Sequence, residues 1–424
     1  MAAFLKVLGP GLITGAADDD PSGIATYSQT GAQFGFGQIW TALYQIPLLI
    51  AIQEACARIG IVTGKGLAGV IKEHYSRTVL IGVVLLVVIA NTINIGADIG
   101  AVAASAQLVF KAPYALYCVL TAMLVIALEV FMNYKTYARG LKWMTLALLA
   151  YPATALIIHE PWKQIIYATL IPHVEFTVAF LFIITGVFGT SISPYMFFWQ
   201  ASQEIEEEVE QGLVSADGSR HRVSRRFLRG MEADTNFGMI ASEVVQWFII
   251  MTTATVLFSH GVNNIATAAD AARALEPLVR SFPNSGQIAK DLFAVGVVGL
   301  GLLAIPVLAG SAAYAFAEAL NWKEGLSRKL AAAPGFYGVI ILSVLVGLSF
   351  NFLGIDPIKA LVFTAVFNGI AAVPLIFLIG LINGNAKIMG RWRGGVLSRT
   401  FIWTTFVVMG LAAGALIYTT IMPK

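Results

Sequence analysis

Apolar runs long enough to cross a bilayer, about 20 residues each, recur along the whole chain between short polar connections. Eleven lie at 8–34, 39–62, 79–110, 113–131, 141–158, 176–201, 237–259, 288–319, 335–352, 358–382 and 400–420. The pattern predicts an all-α, polytopic membrane protein. Polar positions interrupt the pattern most sharply in the first run, where Asp18, Asp19 and Asp20 are followed by Pro21, Ser22 and Gly23. Pro21 removes a backbone donor and breaks the helix, and Gly23 tolerates irregular dihedrals, so carbonyls are freed beside carboxylates. Carboxylate plus free carbonyl suits a cation. A break inside the bilayer is tolerated only where it lines a cavity or is buried in protein.

A second break is expected in the sixth run, where Gly186, Gly189, Thr190, Ser191, Ser193 and Pro194 precede Tyr195. Interruptions at corresponding points five spans apart are the pattern of inverted-repeat transporters, whose discontinuous helices meet at a midplane site. Either break alone reads better as a packing kink; the matched pair reads better as a site. The chain, 1–424, is expected to form a single transmembrane domain. Its repeats fall at about 4–160 and 174–384 by the span pattern, with an extra C-terminal helix at 398–421.

Composition sharpens the class. The chain is 58% hydrophobic and 12% charged, against roughly 45–50% and 25% for soluble domains, and its mean hydropathy is +0.78. Placing the N-terminus in the cytoplasm puts twenty of the 27 Lys and Arg residues on the inner side. That bias sets the orientation, with the C-terminus outside. The small positive net charge follows from topology and implies no nucleic-acid partner. No cleavable signal is expected before the first span. No P-loop, nucleotide fingerprint or soluble catalytic segment is present, so neither an enzyme nor a cofactor is expected.

Cys56 and Cys118 fall in different spans and read as packing residues. The five histidines, His74, His159, His173, His221 and His260, fall in loops or at span ends, leaving no imidazole relay in the membrane core. The acids Glu204 to Glu210 read as a solvated helix end or a cytoplasmic exit for cations, and the basic stretch from Arg220 to Arg229 as a surface for anionic lipid. The outer segment 261–286 is expected to carry a short amphipathic helix at 266–279. Glu54 and Arg58 stand at i, i+4 spacing as a local pair or a gate.

The stretch GPGLITGAADDDPSGIATYSQTGAQFGFGQIW, residues 9–40, resembles the first span of the Nramp family of divalent-metal transporters, and ARIGIVTGKGLAGVIKEHY, residues 57–75, its inner loop. The resemblance implies a LeuT-like fold, two inverted five-helix repeats plus an eleventh helix. The family's usual first-span motif is DPGN, with Asp and Asn side chains on the metal. Asp20 matches the acid, while Gly23 stands at the Asn position and offers backbone only. In the sixth span the family offers an Ala carbonyl and a Met sulfur before a Pro-His pair. Here the carbonyl carries over to Thr190, Ser193 replaces the sulfur, and Tyr195 follows Pro194. Met196 lies outside that register and is expected to pack or face lipid.

The set has become all oxygen. Carboxylate, carbonyl, hydroxyl and water suit Mg²⁺ and Mn²⁺, where thioether sulfur favours softer ions, and Mg²⁺ commonly keeps several waters. The pattern is similar to the Nramp-related magnesium transporters. In the third span Asp98 retains an acid of the family's coupling machinery, while Ala101 replaces a Glu, and Tyr195 and Gln200 replace two histidines. The resemblance therefore implies uncoupled flux of a partly hydrated divalent ion, with Asp20, Thr190, Ser22, Ser193, the Gly23 backbone and Asn368 at the metal. Asp19, Asp98, Tyr195 and Gln200 are assigned to the ion pathway or coupling, and Asp18 with Asp19 to an acidic funnel. Spans one, two, six and seven are expected to rock against the rest.

The expected partners are the transported ion and the lipid bilayer of a bacterial inner membrane, with the protein working as a monomer. One alternative is ordinary proton-coupled Mn²⁺ or Fe²⁺ import. Another, of a different class, is an amino-acid or organic-cation carrier, which the acid cluster at the first break disfavours because a substrate carboxylate would be repelled.

Overall fold

The computed structural model describes residues 9–132, 144–158, 160–213 and 223–421. His159, His221, most of the polar connection before the fifth span and the first part of the basic stretch lie outside them. Each expected span coincides with a helix or helix pair. The first is split into α1, Pro10–Asp18, and α2, Pro21–Phe34. Then come α3, Trp40–Thr63, α4, Leu67–His74, α5, Arg77–Val109, and α6, Tyr114–Phe131. The fifth span contributes α7, Ala150–Ile157, and the loop after it α8, Trp162–Leu170. The sixth is again split, into α9, Val178–Ser191, and α10, Pro194–Glu210. The remainder are α11, Arg225–Val256, α12, Ser285–Leu320, α13, Pro334–Phe350, α14, Pro357–Gly384, and α15, Val396–Ile421. Eight helices among the described residues are long and apolar enough to cross a membrane. The two halves of the sixth span count there as one crossing, Val178–Glu210, while the first span, with Asp18, Asp19 and Asp20 at its break, and the shorter fifth and ninth, Leu146–Ile157 and Pro334–Phe350, are not among the eight.

Proline at the first helical position starts α2, α10, α13 and α14, where its missing N–H costs nothing. Asp20 caps α2 and Asp356 caps α14 through backbone N–H groups three residues on. Small residues let the helices nearest the breaks touch backbone to backbone. A Cβ on Gly238 of α11 would overlap the Gly11 carbonyl of α1, and one on Gly189 of α9 would overlap the Ala365 carbonyl of α14. Such close approach is how apolar helices gain packing energy where lipid competes equally well for apolar surface. The outward faces of α5, α6, α13 and α15 expose Leu85, Met123, Leu342 and Leu411, an apolar girdle for lipid.

Some expectations are refined. The segment 266–279 is one short α-helix, Ala268–Ala272, followed by a 3₁₀ turn, and its apolar side, Ala271, Ala274 and Leu275, is buried in the core. Met196 is fully buried, hence packing and not lipid-facing. Arg58 reaches Glu54 at 3.7 Å and also Glu232 of α11 at 3.2 Å, so the pair is part of a tie between spans. Cys56 and Cys118 are free and buried.

Candidate metal-ion site

The two breaks face each other. Each is made by a proline that withholds an N–H from the carbonyl four residues before it: Pro21 from Ala17, and Pro194 from Thr190. Tyr195 crosses between them and donates its hydroxyl to the Ala17 carbonyl at 2.8 Å. Thr190 Oγ1 lies 3.2 Å from Ser22 Oγ, and the Tyr27 hydroxyl shares a 2.9 Å hydrogen bond with Ser191. Thr14 Oγ1 donates to Gln200 Oε1 at 2.5 Å, and Gln200 Nε2 donates to Glu204 at 2.8 Å. The halves of spans one and six are thereby stitched at and below the break.

Asp20 is at the centre and fully buried. Its Oδ1 accepts from Ser22 Oγ at 2.6 Å and from the Gly23 N–H at 2.8 Å, and its Oδ2 from Asn94 Nδ2 at 3.2 Å. Gly23 sits in the first turn of α2, so its backbone contribution is that N–H, directed at Asp20. Its surroundings close in where a side chain would start: an added Cβ would stand 3.2 Å from the Asp18 carbonyl and 3.3 Å from Thr190 Oγ1. The residues expected at the metal from the first and sixth spans are therefore neighbours. Asn368 is buried on α14, with Nδ2 unpartnered, in the turn that crosses α9 beside Gly369; no hydrogen bond ties it to Asp20 among the described residues.

Buried oxygens without hydrogen-bond partners surround this point: Asp98 Oδ1 and Oδ2, Asp19 Oδ1, Asp18 Oδ1, Ser193 Oγ and Asn94 Oδ1. Ser193 begins α10 without using its hydroxyl as a cap. On the α11 side, Ser242 donates to Asp18 Oδ2, and Glu243 buries its carboxyl beside Ser191. The ion pairs among the described residues lie elsewhere, so these carboxylates have no cationic side chain beside them. Buried charge of one sign without a counter-charge is costly unless a cation is taken up. Among the described residues no three His, Cys, Asp or Glu side chains converge as a metal cage. An ion here would therefore draw much of its shell from hydroxyl, amide, carbonyl and water.

Two cavities approach the breaks. One of about 1010 Å³ lies between α2, α5, α9 and α14, with Gln29, Ala97 and Ile183 on its wall, and reaches the residue beside Asp98. The other, about 560 Å³, lies at the opposite end between the starts of α1 and α11 and the end of α10, among Glu204, Glu207 and Asp234. Glu204 and Glu207 line this cavity, and Glu204 and Glu208 are buried, so the acid run is not the solvated helix end expected of it.

Asn94, Ser242, Glu243 and Asp234 are the residues that sequence reasoning passed over. The signal available for Asn94 was its i, i+4 spacing to Asp98, and for Glu243 its standing as a lone acid in an apolar span.

Two opposed broken helices around a buried, cation-seeking midplane define an integral-membrane protein of the LeuT-like transporter class. Within that class the chain belongs to the Nramp family: the family model described as "Natural resistance-associated macrophage protein-like" matches residues 11–419. It is 25% identical over 421 residues to the divalent metal cation transporter MntH of Granulibacter bethesdensis, covering 97% of this chain and 87% of that one. Its fold is similar to that of an Eremococcus coleocola manganese transporter, with a TM-score of 0.72 at 18% identity over 99% of this chain and 88% of that one. A nucleobase-cation-symport-1 family transporter, Mhp1, matches with a TM-score of 0.59 at 13% identity over 98% and 94% of the two chains.

Proposed function

We propose that this protein carries divalent metal ions across the membrane, with Mg²⁺ the foremost substrate and Mn²⁺ also accepted, as a partly hydrated ion and without proton coupling. The observation that carries this reading is the donor set at the facing breaks. Asp20, Ser22, Ser193 and the carbonyl side of Thr190 supply oxygen, and oxygen suits hard ions that keep waters. Asp20 provides charge, Ser22 and Ser193 face retained waters, and Ala101 leaves the third span without a second acid near Asp98. The N-terminus is cytoplasmic in this reading, supported by the charge bias, and the two cavities are the outer and inner approaches. Spans one, two, six and seven rock against the rest.

A second reading, proton-coupled manganese import, is favoured by the buried Glu243 carboxyl beside the first break and by the relatives, a divalent metal cation transporter and a manganese transporter. One experiment separates them. Purified protein in proteoliposomes is given a Mg²⁺ or Mn²⁺ gradient while internal metal and pH are recorded together. Mg²⁺ entry without acidification is expected; Mn²⁺ entry with coupled acidification and no Mg²⁺ flux would overturn the first reading.

A further inference from the structure

We infer that Asn94 is itself a ligand of the transported ion, through its side-chain carbonyl, so that the third span forms a wall of the site. The inference rests on the metal-transport reading above and extends its donor set to α5.

Asn94 is fully buried on α5, and its Nδ2 donates to Asp20 Oδ2 at 3.2 Å. A carboxylate only accepts, so the amide must turn its NH₂ toward Asp20, which settles which end is oxygen. That leaves Oδ1 buried with no partner. The oxygen and nitrogen of a planar amide are about 2.2 Å apart, so with Nδ2 3.2 Å from Asp20 Oδ2 the carbonyl Oδ1 lies within about 5.5 Å of the Asp20 carboxylate. A bare carbonyl beside a carboxylate, both out of water, is unfavourable until a cation sits against them.

The neighbours agree. One helical turn further along the same face, Asp98 buries two oxygens without partners and lies within electrostatic reach of Asp20. At the second break Ser193 Oγ is also unpartnered. Asp20 is held at both oxygens by Ser22, Gly23 and Asn94, which fixes its orientation. The amide thus has two tasks: its nitrogen orients the acid and its oxygen completes the shell. An uncharged amide oxygen is a hard donor, matched to Mg²⁺, Mn²⁺ and Ca²⁺.

Orientation and ligation are separable by changing the donor atom. Binding of Mg²⁺, Mn²⁺ and Cd²⁺ is measured by calorimetry on the purified full chain, for wild type, Asn94→Cys and Asp20→Ala. A ligand position predicts that Asn94→Cys raises the Cd²⁺ to Mg²⁺ affinity ratio by about ten-fold or more, because sulfur now touches the ion. A uniform loss for all three ions, or an unchanged ratio, would overturn the inference, since a residue that only orients Asp20 weakens every ion alike. Asn94→Gln gives a second test should the thiol variant not fold: an amide oxygen moved by one methylene shifts the Mg²⁺ to Ca²⁺ ratio if it is a ligand and leaves it unchanged if it is not. Asp20→Ala reports on the underlying reading. If it binds all ions as wild type does, the site itself is misplaced; if it loses them while Asn94→Cys keeps the ratio, only the role of Asn94 falls.

Discussion

Ser193 closes the second break with a hydroxyl that is buried and makes no hydrogen bond. Exchanging that oxygen for a thioether tests the hard-ion reading at one atom. Ser193→Met is expected to raise inhibition of Mg²⁺ uptake by Cd²⁺ about ten-fold, with Mg²⁺ uptake itself reduced; an unchanged Cd²⁺ sensitivity in folded protein would remove Ser193 from the ion's surroundings. At this scale the sequence was readable where chemistry is local. Asp20, Ser22 and Gly23 lie within one turn, and the prolines name the carbonyls they release. Asn94 and Ser242 were not readable because their partners, Asp20 and Asp18, are 74 and 224 positions away. Nothing short of the packed bundle brings those polar atoms together.

Helices and breaks were legible because hydrophobic length and proline placement act within a span. What a span says less clearly is which neighbour it needs. The start of α1 is capped from outside its own span: Asp234 of α11 accepts from the N–H groups of Gly9, Gly11 and Leu12, at 3.2, 2.7 and 3.3 Å. Below that cap Gly238 allows α11 to lie against the α1 backbone. Gly238→Ala forces the Cβ into the Gly11 carbonyl, and overpacking of this kind costs roughly 1–3 kcal/mol. A lower melting temperature in detergent is expected, with slower transport because α1 is displaced. Gly230→Ala, on the same helix with nothing within 4 Å of the new methyl, is expected to leave both unchanged. Equal effects of the two variants would refute the account of this crossing.

The end of the molecule that carries α4 is closed by carboxylates drawn from several spans. Glu318 accepts from the Gly69 N–H at 2.7 Å, Glu206 accepts from the Leu326 and Ser327 N–H groups at 2.7 and 3.2 Å, and Glu324 stands between them with Oε2 buried and unpartnered. Burial, and then the charges of Glu318 and Glu206, hold the Glu324 carboxyl well above the usual range, with Arg328 opposing. Its folded value therefore exceeds its unfolded one, so the unfolded chain ionises first and stability declines as pH rises above the ordinary carboxylate range. Glu324→Gln is expected to raise the melting temperature by a few degrees near pH 8 and to leave it unchanged near pH 4; no pH dependence in the difference would refute the assignment. The cap on α1 also has a consequence for how the chain is made. The α1 half-helix leaves the ribosome well before Asp234, more than two hundred residues later, can satisfy its amide groups. During synthesis α1 and the three aspartates after it thus enter the membrane before the helix that caps them exists, and a segment built before its cap is secured only after it.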